Sequence, residues 1–185
     1  MQTRVWILIG LFLIGVQAVV LYFMGQPPIS ASGVVKLWHG VVLSSENSQQ
    51  ISDWYTFSHV IHGFLFYAGL WLLFPRMSVG MRFALAVGVE VCWELFENTD
   101  FIINRYREQA LAQGYTGDSV INSVCDTLAM CLGFIAARRL PMWASIVALV
   151  AIEALMLYWI RDSLTLNIIQ LLHPVQWITS WQASS

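Results

Sequence analysis

FALAVGVEVCWELFENTDFII, residues 83–103, is the stretch on which the fold turns. It is long and apolar enough to cross a bilayer, which takes about 20 residues in a helix. Yet it carries Glu90, Glu94 and Glu97. These stand at i, i+4 and i+7, so they share one helix face. A charged side chain near the bilayer centre costs at least ~2.5–3.5 kcal/mol, so that face cannot meet lipid. The stretch therefore predicts a helix packed among others, oily outside and acidic within.

The rest of the chain supplies the partners. Of 185 residues, 58% are hydrophobic and 11% charged, against about 25% charged in soluble domains. Mean hydropathy is +0.66. The expectation is an all-α integral membrane bundle, one domain over 1–185, with five spans at about 5–24, 54–74, 83–103, 120–137 and 143–160. Pro27-Pro28 and Pro75 close the first two spans, and Pro141 precedes the fifth, since proline cannot continue a helix ladder. The first span exceeds the 7–15 apolar residues of a secretory leader and is read as a retained anchor. A short interfacial helix over 163–173 is expected after the last span, with Trp177 and Trp181 at headgroup depth. Net charge is −2, which leaves no basic face for nucleic acid. The partners expected are membrane lipids. Cys92, Cys125 and Cys131 all lie in apolar runs and read as small buried hydrophobes rather than a disulfide framework.

Charge sets the expected orientation. Arg4, Arg76, Arg82, Arg138 and Arg139 fall on one side of the spans, and Lys36, Arg105, Arg107 and Arg161 on the other. Short arginine-rich loops belong in the cytoplasm. This predicts a multi-pass protein of the cell inner membrane, N-terminus cytoplasmic and C-terminus periplasmic.

Further ionisable residues fall inside these spans. His59 and His62 stand at i, i+3 on the second span, beside Ser58. Asp118, Asn122 and Asp126 repeat at i, i+4 and i+8 along the fourth, and Glu153 lies in the fifth. No lysine or arginine falls within the expected boundaries. With a rise of 1.5 Å per residue, His62, Glu94, Asp126 and Glu153 all come to roughly 10–13 Å from the outer ends of their spans. His59, Glu97 and Asn122 form a shallower tier. A polar chamber open to the outer side is expected.

Imidazoles with carboxylates form the donor set of zinc, iron or manganese sites. The expected metal ligands are His59, His62, Glu94, Glu97, Asp118 and Asp126, with Asn122 and Ser58 orienting them. Glu90 and Glu153, or Glu94 itself, are candidates for proton transfer. Arg105 and Arg107 stand where they could meet an anionic headgroup. The spacing departs from the His-Glu-x-x-His of zincins and from the Glu-x-x-His of di-metal bundles. The same acids, if protonated, would serve only as interhelical glue.

Several motifs resemble an uncharacterised family of alphaproteobacterial multi-pass inner-membrane proteins. They are Ile51–His59 with His62-Gly63, Glu94–Asn98, Tyr115–Ser119 with Asn122-Ser123 and Asp126, and Leu164–Asn167. The resemblance covers most of the chain from Trp38 onward. It implies a membrane location and no particular activity. The order His62, Glu94, Asp118, Asn122 is also loosely similar to that of VanZ-like membrane proteins.

The leading expectation is a metal-dependent hydrolase or transferase acting on a lipid or lipid-linked envelope substrate at an outward-facing site. The rivals are a cation or proton transport protein, which needs polar groups continuing toward the cytoplasm, and a non-enzymatic accessory subunit.

Overall fold

The computed structural model describes residues 2–184. Among these the chain forms eight helices: α1 Gln2–Phe23, α2 Thr56–Leu73, α3 Val79–Glu97, α4 Asp100–Arg107, α5 Val120–Arg139, α6 Met142–Ile160, α7 Leu164–Leu172 and α8 Gln176–Ala183. There is no strand among the described residues. A single isolated β-bridge joins His39 to Asp53.

Four helices, α1, α2, α5 and α6, are long and apolar enough to cross a membrane. α3 matches them in length but carries Arg82, Glu90, Glu94 and Glu97. Large apolar side chains lie on the outside: Leu8, Phe12, Leu72, Leu132, Val147 and Val150 are all exposed. The interior holds many of the polar ones, among them Gln17, Glu90, Glu94 and Asn122, each almost wholly buried. A chain folding in water would place them the other way round.

α2 packs most closely on α5, and α1 on α3. The α2–α5 crossing depends on two glycines. A Cβ at Gly63 would stand 2.1 Å from the Met130 carbonyl oxygen, and one at Gly133 2.1 Å from that of Val60. Two backbones approach this closely only where side chains are missing. Ala86, Val87, Val91, Met130, Cys131 and Phe134 then fill the space between α3 and α5 as one apolar core.

The third expected span ends sooner than 83–103. Asn98 donates its side-chain amide to the Glu94 carbonyl, and its Oδ1 accepts the Asp118 backbone N–H. Thr99 is extended, and α4 starts afresh at Asp100. Side chains that offer the backbone another partner end helices in this way. Arg82, expected in a loop, belongs to α3; it is 5% exposed and donates to the Phe74 and Pro75 carbonyls at the end of α2. The tail also differs from the single helix expected over 163–173. After α7 the chain forms α8, tied back by Gln182 to Arg161 and Asp162 and by the Arg161 guanidinium to the Trp181 carbonyl.

The loop between α1 and α2 folds over the start of α5. Pro27 and Pro28 carbonyls accept the Val120 and Ile121 N–H groups, the Ser48 carbonyl accepts from Ser119, and the Ser119 hydroxyl caps Asn122 N–H. These are the donors a helix leaves unpaired at its N-terminus. The loop thus seals the end of α5 and forms one wall above the acids.

Candidate functional site

His59 is the centre. Its Nδ1 lies 2.6 Å from Glu90 Oε1 and 3.2 Å from Glu94 Oε1, and its Nε2 lies 3.9 Å from Asp126 Oδ2. His62, one turn further along α2, brings its own Nδ1 to 3.0 Å from Glu90 Oε2. The Glu90 carboxylate therefore joins both imidazoles. Helical spacing brings this about: i, i+3 on α2 and i, i+4 on α3 set four side chains on facing surfaces. His59, His62 and Glu90 offer three donor atoms within 4.8 Å of one another, and so do His59, Glu94 and Glu97.

A second layer holds these groups. Ser123 donates its hydroxyl to Glu94 Oε2 at 2.6 Å, and Gln17 Nε2 donates to the Ser123 hydroxyl at 2.7 Å and to its carbonyl at 3.0 Å. Gln17 Oε1 accepts from Thr127 at 2.8 Å. A chain of hydrogen bonds thus runs from α1 through α5 to α3. Asp126 Oδ1 is buried with no hydrogen bond, and Glu94 Oε1, also buried, has only the His59 imidazole beside it. A buried acceptor left unpaired costs about 1–3 kcal/mol, so such atoms point to a ligand.

The shallower tier is built differently. Asp118 accepts from Asn98 Nδ2 at 2.7 Å and from the Tyr115 hydroxyl at 2.8 Å. Burial pushes its carboxyl above the usual range, and these two hydrogen bonds pull against that shift. Asp53 accepts the Ser48 and Tyr55 N–H groups, each at 2.8 Å. Ser48 is held at φ 59, a left-handed conformation uncommon for serine. Asp162 accepts from the Tyr55 hydroxyl at 3.0 Å, and burial raises its carboxyl to about 6.

Parts of both tiers line one pocket of about 380 Å³. His59, His62, Glu97, Asp118 and Asp126 supply its polar wall. Leu65, Phe66, Val89 and Trp93 supply an apolar one, with Leu164, Ile168 and Leu171 of α7 opposite in kind to the acids. Residues of the 42–48 and 109–118 loops complete the lining.

Of the residues singled out in sequence, His59, His62, Glu90, Glu94, Glu97 and Asp126 do converge. Glu90, expected to stand apart as a base, is instead the group shared by both histidines. Asp118 shares the pocket, yet both its oxygens are engaged by Asn98 and Tyr115. Asn122 turns to the Gln50 carbonyl at 2.8 Å, and Ser58 to the Met156 sulfur at 3.9 Å. Glu153 stands away from the cluster: its carboxylate accepts the Leu164 and Thr165 N–H groups at the start of α7, where negative charge is favoured. Arg105 donates to the Leu171 carbonyl and to Glu108, and Arg107 to the Tyr115 carbonyl and Asn104. Gln17 was not singled out. A lone amide midway along an otherwise apolar span is the signal that marks it.

The family model described as a protein of unknown function, DUF2585, matches residues 21–184. The chain belongs to this family. DUF2585 relatives include a UPF0314 protein of Sphingopyxis alaskensis, 51% identical over 176 residues and covering 95% of this chain and 94% of that one. One of Paracoccus denitrificans is 54% identical over 164 residues, covering 89% and 85%. One of Agrobacterium fabrum is 48% identical over 177 residues, covering 96% and 89%. Membership of DUF2585 accords with the first of the two resemblances read from the motifs, an uncharacterised alphaproteobacterial family. No solved structure matches the chain.

Proposed function

We propose that this DUF2585 protein lies in the inner membrane with α3 as a fifth span, N-terminus cytoplasmic, and holds one divalent transition metal ion in a site open to the periplasmic side. The reading rests on one observation: His59 and His62, which line a pocket acidic on one wall and oily on the other, share Glu90, and His59 also abuts Glu94.

His59 Nδ1, His62 Nδ1, Glu90 and Glu94 would be the ligands. Neighbouring donors along His62, Glu90, His59 and Glu94 stand 2.6–3.3 Å apart, close enough to turn toward a shared ion. Two nitrogens with carboxylate oxygens suit zinc, iron or manganese. Ser123 fixes one oxygen of Glu94 and leaves Oε1 toward the histidines, and Asp126 faces the far ring nitrogen of His59, an arrangement that orients ligating imidazoles. Asp118 is better placed to shape the pocket than to ligate.

A bound divalent ion supplies a Lewis acid and a water acidic enough to attack at neutral pH. Around it the chain provides the remainder. Glu97 and Asp126 line the pocket as proton acceptors. Leu65, Phe66, Val89 and Trp93 take an acyl or isoprenoid tail. Hydrolysis or group transfer on a lipid or lipid-linked envelope substrate is the reaction this supports best. A transport route is disfavoured, because Ala86, Val87, Met130 and Phe134 close the space beside the acids and the polar Thr127 and Gln17 are already bonded to each other.

Elemental analysis of the purified protein tests the reading. About one transition-metal ion per chain is expected, lost in His62→Ala/Glu90→Ala while the protein still inserts and runs as a single species. Wild type without metal, or a double variant that retains it, overturns the proposal.

A further inference from the structure

The charge of the pocket wall narrows what can bind there. With an ion on the His59–His62–Glu90–Glu94 floor, Glu97, Asp118 and Asp126 remain, all lining the pocket. None of the residues that line it is a lysine or arginine. Arg105 and Arg107, the nearest cations in sequence, are not part of this lining and donate to the Leu171 and Tyr115 carbonyls and to Glu108 and Asn104. An anionic head would meet carboxylates with no cation in the lining to offset them.

Aromatic rings stand among these acids. Tyr106 and Tyr115 both line the pocket, ring centroids 5.6 Å apart at 82°. The Tyr115 hydroxyl donates to Asp118, and that of Tyr106 meets Glu97. Ring faces beside carboxylates are the recognition chemistry of an ammonium ion. Two buried atoms without a hydrogen-bond partner belong to residues of the same lining. Asp126, 4% exposed, has Oδ1 without a partner, and Gln109, 8% exposed, has Nε2 without one; both residues line the pocket. The first asks for a donor or cation and the second for an acceptor.

We propose that the pocket takes an amphiphile with an ammonium head group, the head between Glu97, Asp118 and the two tyrosines, an acceptor oxygen of its linkage at Gln109, and the tail along Leu65, Phe66 and Trp93. This rests on the pocket being the substrate site but not on the metal. It names the substrate class as cationic or zwitterionic at the head, and excludes a lipid that presents only a phosphate.

Calorimetric titration of the full protein in an uncharged maltoside detergent tests this, with n-decylammonium and n-decyl sulfate as probes and protein-free detergent subtracted. Decylammonium should bind at least about tenfold more tightly. Glu97→Gln should cut that preference to about threefold or less, and Ala112→Arg, which adds a cation to the lining, should reverse it. Equal or tighter binding of decyl sulfate overturns the proposal, as does an unchanged preference in Ala112→Arg. Running each titration on chelator-stripped and zinc-loaded protein separates the two ideas. Zinc bound with sulfate favoured sinks the ammonium assignment alone; no zinc bound with the preference intact sinks the metal reading alone.

Discussion

Gln17 shows how much a single amide contributes. It lies in α1, outside both histidine and carboxylate sets, yet it holds Ser123, which in turn holds Glu94. Gln17→Leu keeps the volume and removes both hydrogen-bond functions. Ser123 and Thr127 then lose a buried partner, which should destabilise the protein by about 1–3 kcal/mol. Outer-sphere partners of this kind tune metal affinity by about 10–100-fold. A thermal melt and a zinc titration in parallel check the two effects. Loss of stability with unchanged affinity would show that Gln17 serves packing only.

Asp162 gives a pH-dependent counterpart. Burial raises its carboxyl to about 6 from an ordinary 3.8. The folded state therefore holds the proton more tightly than the unfolded chain. Below the ordinary value both states are protonated and nothing is lost. As pH rises through the window from 3.8 to 6, the folded protein is penalised, by at most about 3 kcal/mol. Asp162→Asn should abolish this slope, so its melting temperature gains on wild type between pH 4 and pH 7. Parallel curves for the two proteins would contradict the assignment.

Among the elements, the α2–α5 crossing is the most constrained. Gly63→Ala sets a methyl 2.1 Å from the Met130 carbonyl and must push the helices apart. A loss of about 3 kcal/mol or more is expected, together with loss of bound metal, because His59 and His62 ride on the displaced helix. Gly69→Ala is the control, on the same helix with nothing within 4 Å of its Cβ. It should be neutral or stabilising by up to about 1 kcal/mol. Melting temperatures of the two variants decide the matter.

This is also the scale on which the sequence was legible. Apolar runs gave α1, α2, α5 and α6, with prolines closing the first two and Pro141 preceding the last, and the i, i+4, i+7 stripe on α3 gave the inward face. What escaped was set by long-range partners. The end of α3 depends on Asn98 reaching Asp118, twenty residues on. Glu153 reads as one more intramembrane acid until α7 folds back and presents its free N–H groups. α8 is eight residues long and follows a proline, and only its ties to Arg161 and Asp162 mark it. Asn122 and Ser58 fell on the right stripes, but their partners lie on a loop and on α6.

For the whole molecule, the prediction concerns sidedness. If the pocket opens to the periplasm, a cysteine placed at exposed Gln113 reacts with a membrane-impermeant maleimide in intact cells, in a background where Cys92, Cys125 and Cys131 are serine. One placed at exposed Arg138 reacts only after lysis. The reverse pattern would invert the proposed topology and put the site on the cytoplasmic side.

The short turn between α2 and α3 has a consequence for biosynthesis. Only Phe74–Ser78 separates the two helices, so His59 and His62 are already threaded when the glutamates leave the ribosome. The nascent hairpin can neutralise Glu90 on its own. Glu94 has His59 beside one oxygen, but its other oxygen must wait for Ser123, some thirty residues later in translation. Ribosomes stalled before α5 should therefore expose a half-made, acid-bearing hairpin to the translocon, and quality-control proteases would find their substrate at that stage of synthesis.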